Sequence, residues 1–410
     1  MDTMISFSNH SKYNTLLTGL WLVHALMVGL LIAINPNHYT TIDSHVYLSS
    51  AQNLLEGHGY VLMEGEGYRW NSTFPPGYSL SIALVARLTS LEVLWASKIV
   101  NLLCSALLLV FIRIRFGPRK ALLLGSFLVW GPFLRLWAHT WSEPLFICVL
   151  LIWVDQYQRY QKNVGTIQFG GLLLCGFTLL SIRYAGIFIV LVALFHSFQA
   201  LMDHKFRRYH GHLLLLSGIW TLGLLGYWQA NLHWSGERYG GERILLDGAL
   251  FENIRLFAAG ISKSLLGYDI EATAEVTLAN VLAPMRLLLL IGIGFEVKKN
   301  KIPLPNRRSF WPWGTLRVGF TYLIFLFTLR LISPFDAPGY RLLAPFMVLI
   351  WWALLYWLAQ QKPNARVVTL GLLWIILSWV QLIPGTNLRG QLLLVENIWW
   401  DGILRHCILP

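Results

Sequence analysis

Apolar runs of about 20 residues, long enough to cross a hydrocarbon core, recur along most of this 410-residue chain. They lie at residues 15–34, 74–89, 93–112, 119–138, 142–157, 166–180, 184–201, 211–230, 281–296, 315–333, 342–360 and 366–383. A water-soluble fold has no interior large enough to bury so many. Only 13% of residues are charged, against about 25% in ordinary soluble domains. Tryptophans and tyrosines gather near the ends of the runs, where a bilayer places its aromatic belts. The chain reads as an all-α polytopic membrane protein.

The formal net charge of +12 does not point to nucleic acid as a partner. The basic residues stand in short clusters between apolar runs, which is how cytoplasmic loops are marked and how anionic lipid surfaces are met. Cys104, Cys148 and Cys175 lie inside apolar runs as small core residues, and Cys407 stands alone near the C-terminus, so no structural disulfide is expected. The first run carries little preceding positive charge and no small-x-small cleavage site. It is expected to stay as a helix rather than to leave as a signal peptide.

Topology turns on whether 74–89 spans. If it does not, the loops 113–120, 158–165, 202–210, 297–314 and 361–366 all fall on one side. They hold Arg113, Arg115, Arg119, Lys120, Arg159, Lys162, Lys205, Arg207, Arg208, Lys298, Lys299, Lys301, Arg307, Arg308, Lys362 and Arg366, half of the 32 basic residues. If it does span, these clusters all land outside, against the positive-inside rule. Residues 74–89 are therefore read as a juxtamembrane helix in the outer interface, started by Pro75-Pro76 and interrupted by Ser79, Ser81, Arg87 and Thr89. About eleven spanning helices remain, with the N-terminus inside. The outer side then owns loops 35–92 and 231–280 and the tail 384–410. The pattern Tyr47, Ala51, Leu54, Leu55, closed by Gly57, predicts a second short helix in the first loop. No internal repeat divides the chain, so 1–410 is taken as a single domain.

This topology puts Asp43, Glu143, Arg183 and Arg341 at outer helix ends. Ionisable groups near membrane depth cost about 2.5–3.5 kcal/mol each on insertion scales, and four on one side suggest a site. Plainer roles exist for each. Asp43 could cap the short helix, and Glu143, before Pro144, could serve the helix dipole. Both arginines could snorkel to headgroups. His45, His58 and His139 could join Asp43 and Glu143 around a divalent metal, though the spacing matches no strong metal motif. Asn71-Ser72-Thr73 has the form of a glycosylation acceptor.

The order of motifs resembles the GT-C superfamily of membrane glycosyltransferases, in the branch of the 4-amino-4-deoxyarabinose lipid A transferases and protein O-mannosyltransferases. The residues that carry it are Asp43, Tyr47, the run Ala51-Gln52-Asn53-Leu54-Leu55-Glu56-Gly57-His58-Gly59-Tyr60, and Phe74-Pro75-Pro76-Gly77-Tyr78. Trp141-Ser142-Glu143-Pro144-Leu145-Phe146, Arg183-Tyr184 and Tyr340-Arg341-Leu342-Leu343-Ala344-Pro345 follow. The match is good over 15–200, looser to 350 and absent in the tail.

The resemblance implies a GT-C-like fold and a polyprenyl-phosphate-linked sugar donor. The lipid tail would lie in the membrane and the sugar phosphate at the periplasmic or exterior face of the inner membrane. It implies Asp43 as catalytic base, taking the acceptor proton, and Glu143 as second acid. Arg341, then Arg183, would bind the donor phosphate. Tyr47, His58, Tyr78 and Tyr340, which belong to the matching motifs, would contact substrate. Ser44 stands where some members carry a second acid, which argues against the protein-mannosylating members. The acceptor, whether glycan, lipid or protein, is left open. Two other readings compete: a transporter or flippase of a lipid-linked saccharide, and a non-catalytic membrane subunit that binds a lipid carrier. A transporter would carry midplane charges and repeated halves, and neither is visible in the sequence.

Overall fold

The computed structural model describes residues 2–202, 207–240, 250–267, 277–303, 310–333, 335, 337–361 and 363–383. The tail 384–410, with Cys407, lies outside them. So do Lys205, Arg307, Arg308 and Lys362, and, from the loop 231–280, Glu242, Arg243 and Asp247.

Helices α1 (Asp2–Ile34), α4 (Val93–Phe116), α10 (Arg207–Ser235), α12 (Leu278–Lys299), α13 (Phe310–Ile332) and α14 (Tyr340–Gln360) are long and apolar enough to span. So are α9 (Phe188–Met202) with the 3-10 turn before it, and α15 (Ala365–Ser378) with the turn after it. That makes eight among the described residues, or nine if the bent pair below is one span. Two more of the expected eleven are α7 (Glu143–Lys162), polar in its second half, and α8 (Thr166–Ile182), 17 residues long. α14 is the most buried span and packs on α13, α7, α5 (Pro118–Gly125) and α11 (Leu250–Leu266), whereas α12 and α15 pair with each other at the edge. Without water between helices, close packing and polar bridges hold the bundle. Tyr322 donates to the Leu342 carbonyl at 3.0 Å and Gln158 to Thr315 at 2.8 Å.

The run 119–138, expected as one straight span, is broken. Helix α5 (Pro118–Gly125) passes through a 3-10 turn and an extended Trp130 into α6 (Gly131–Ala138), with a bend of 70°. Pro132 accounts for the break: it has no N–H to donate, and its ring clashes with the preceding turn. Gly131 lies against the Ser378 backbone, and its N–H donates to Ser378 Oγ at 2.7 Å. The bend aims the C-terminus of α6 at the site. An eight-residue helix leaves half its carbonyls without helical partners. Here α4 supplies donors: Lys98 Nζ to Ala138 O at 2.8 Å, and Asn101 Nδ2 to Trp137 O at 3.0 Å and His139 O at 2.7 Å.

The first loop folds as expected into short helices, α2 (Ile42–Leu55) and α3 (Gly77–Thr89), with a hairpin between them. At 13 residues α3 is too short to span. Its exposed Leu80, Leu84 and Leu88 form one stripe at helical spacing. Strands β1 (Val61–Glu64) and β2 (Gly67–Trp70) pair antiparallel through a tight turn in which Gly65 takes φ +60°. Trp70 Nε1 donates to Asn231 Oδ1 at 2.8 Å, and Tyr184 OH to Ser72 O at 2.7 Å. These bonds pin the loop to α10 and to the residue after Arg183. Asn71 is buried, with its amide on Ser50 and Tyr60, so it is not available as a glycosylation acceptor.

Candidate active site

Asp43 lies in the first turn of α2, but it is not the cap. Thr41 is the N-cap: its hydroxyl accepts from Ser44 N at 3.4 Å, while Ser44 Oγ accepts from Thr41 N at 3.0 Å. This capping box satisfies the helix start and leaves the Asp43 carboxylate free for other work. Ser44, where an acid stands in some GT-C members, is committed to the box and to the Thr140 carbonyl at 2.9 Å.

Glu143 opens α7, with Ser142 as N-cap and Pro144 in the first turn. Arg183 sits in the extended joint between α8 and α9. Arg341 is in the first turn of α14. A cation there opposes the helix dipole and needs anions beside it. It has two: Nε donates to Glu143 Oε1 at 2.5 Å and Nη1 to Asp43 Oδ2 at 2.5 Å. Arg183 Nη1 pairs with the same Glu143 oxygen and reaches Ser142 Oγ at 3.1 Å. Two acids and two arginines thus form one neutral cluster at one end of the bundle, built from four chain segments. Side-chain exposure grades across it, from 0% at Glu143 through 14% at Arg183 and 22% at Arg341 to 34% at Asp43. Asp43 is the outermost member. Its Oδ1 has no hydrogen-bond partner among the described residues.

The four tyrosine and histidine candidates divide. Tyr47 is fully buried beneath the cluster, its hydroxyl 3.0 Å from Ser142 Oγ and its ring stacked on Phe74. Burial, the largest influence, pushes its phenol up to about 12, so it stays neutral. Tyr78 is also fully buried and donates to Asn101 at 3.2 Å. Both support the site from below and do not reach into it. His58 stacks on Tyr68 of the hairpin at 4.4 Å and faces Glu56, outside the cluster. Tyr340 is half-buried beside Arg341, its hydroxyl 3.3 Å from His139 Nε2 and its ring under the Arg135 guanidinium. Among the described residues, no three of His, Cys, Asp and Glu converge as a metal-ligand set, and Asp43 and Glu143 bracket Arg341 instead.

Trp141 and His139 complete the site in a way the sequence did not suggest. Their rings lie parallel, 3.6 Å apart, with Arg341 over Trp141 at 4.3 Å. Burial, then the nearby cations, lowers His139 to about 3, so its ring is neutral at ordinary pH.

No family model matches the sequence, and no curated protein matches it. Among solved structures, the fold is similar to that of ArnT from Cupriavidus metallidurans in the apo state, with a TM-score of 0.50 and 15% identity. The match covers 86% of this chain and 61% of that one, so the chain spans less than two thirds of the length of ArnT. At this identity the likeness speaks to fold alone. The chain is a polytopic integral membrane protein with a GT-C-like fold, similar to that of ArnT.

Proposed function

We propose that the protein is a membrane glycosyltransferase that moves a sugar from a polyprenyl-phosphate-linked donor to an acceptor on the non-cytoplasmic side. The observation that carries this reading is Arg341, whose single guanidinium bridges Asp43 and Glu143 at one end of a GT-C bundle. In the reaction the acceptor hydroxyl oxygen attacks the anomeric carbon, and its proton passes to Asp43 Oδ1. The bond from that carbon to the phosphate oxygen breaks, and the electron pair leaves with the lipid phosphate. Negative charge grows there, where Arg341 and Arg183 are close enough to stabilise it. Glu143, fully buried, holds both arginines in place. The site residues lie at helix ends on one side, not at mid-depth in broken helices, which favours transfer over transport.

Sidedness is supported by charge. Glu143 starts α7 and Arg159 and Lys162 end it, about 30 Å away at helical rise. Arg113 and Arg115 end α4, and Lys298 and Lys299 end α12. Basic ends face the cytoplasm. A cysteine at Glu66, in the hairpin turn, should react with an impermeant maleimide added to intact cells, and one at Arg119 should not. Labelling at position 119 alone would reverse the orientation.

Transfer of labelled sugar from polyprenyl-phosphate sugars by purified protein tests the chemistry. Asp43→Asn should lose about 100-fold or more, the usual contribution of a general base. Equal turnover by wild type and variant would remove Asp43 from the role of base.

A further inference from the structure

We infer that Trp141 is a positioning residue that presents Arg341 to the lipid phosphate. The inference rests on the proposed donor. An aromatic side chain beside a sugar site would ordinarily be read as a stacking platform for the sugar. Trp141 has no face left for that: His139 covers one at 3.6 Å with an interplanar angle of 1°, and Arg341 lies against the ring at 4.3 Å. The indole edge is committed as well, since Nε1 donates to Thr41 Oγ1 at 2.9 Å.

That bond links the stack to the chemistry. Thr41 caps the helix that carries Asp43, and Trp141 stands two residues before Glu143. The indole therefore touches Arg341 directly and is tied to the segments bearing both of its carboxylate partners. With Nε on Glu143 and Nη1 on Asp43, each of the two donor edges of the guanidinium has one nitrogen engaged, and Nη2 is the nitrogen the two edges share. Nη2 has no partner among the described residues. A planar cation lying on a ring cannot tilt without losing contact with it. The stack thus fixes the direction in which the Nη2 group points. His139, kept neutral, backs the indole without adding a second cation against Arg341. Tyr39 meets the His139 ring edge-on at 4.7 Å and closes the far side.

The test is binding of a short-chain polyprenyl monophosphate to the full-length protein in nanodiscs, measured by calorimetry. Trp141→Leu should weaken binding about tenfold, the size of a desolvated cation–π contact. Trp141→Phe keeps a ring under the guanidinium and should recover most of it, to within about threefold of wild type. In an Arg341→Lys background, where the planar cation is gone, Trp141→Leu should add less than about twofold. A Trp141→Leu effect that is as large in that background as in wild type, or that Phe does not rescue, would overturn the inference and leave the donor assignment standing. Failure of the wild-type protein to bind the lipid phosphate at all would overturn the donor assignment and this inference with it.

Discussion

Glu143→Gln should cost the protein about 3–5 kcal/mol of stability, the penalty for removing one partner of a buried ion cluster. The substitution keeps the shape of the side chain and deletes its charge. Arg183 and Arg341 then face each other across a neutral amide, with only Asp43 left to balance them. Glu143 is wholly buried, so no water compensates the lost carboxylate. Thermal unfolding of the detergent-solubilised protein should show the midpoint falling well below wild type. Adding Arg183→Gln should recover part of the loss, because it removes the cation left uncompensated. Asp43→Asn provides the contrast. Its side chain is a third exposed and makes one ion pair, so its stability cost should stay within about 1 kcal/mol. A Glu143→Gln protein that melts with wild type would mean that the four charges are not organised as one cluster. The pair of variants thus separates the acid that builds the site from the acid proposed to work in it.

How far the sequence foretells this arrangement varies by residue. That Asp43, Glu143, Arg183 and Arg341 gather at one end of the bundle follows from loop charge and run length alone, because burying a charge in lipid is costly enough to leave a clear pattern. That the four touch does not follow. Arg183 and Glu143 are brought together by the joint between α8 and α9, and nothing local encodes the distance. The break at Trp130 was visible only as Gly131-Pro132, a pair that a spanning helix often tolerates. Here Pro132 breaks the helix, and the approach of Ser378, distant in sequence, packs on the break at Gly131. Tyr47 and Tyr78 illustrate a different limit. A tyrosine in an outer loop suits a binding surface or a core equally well, and only the packing of α2 and α3 on each other and on α4 buries these two. The plain reading of Asp43 as a helix cap failed for a reason present in the sequence. Thr41 stands two residues earlier with Ser44 three further on, the spacing of a capping box. Lys98 lies in the first half of α4, and its sequence neighbours give it no partner. Its role, closing the end of α6, needed the bend to be known first.

Arg341→Lys, which keeps the charge, should lose about 100- to 1000-fold in transfer rate, the scale of removing one preorganised donor to a developing oxyanion. The reason is geometric. Arg341 makes three contacts at once: Nε to Glu143, Nη1 to Asp43, and its Cζ over the Trp141 ring at 4.3 Å. An ammonium is a compact point charge with no plane and no fork. It can sit between the two carboxylates, so Lys should preserve much of the stability that Glu143→Gln removes. It cannot hold both acids in those directions and also offer a further fixed donor to a phosphate. Loss of rate with retained folding is therefore the signature expected. If rate and melting temperature fell together, Arg341 would serve mainly to hold the fold. If both survived, charge alone would suffice, and the planar bridge between Asp43 and Glu143 would not be what the chemistry requires. Donor affinity should fall alongside the rate, because in the proposed reaction the same Nη2 group meets the phosphate before and during transfer. The Lys variant should also become indifferent to Trp141, since the ring has no plane left to orient.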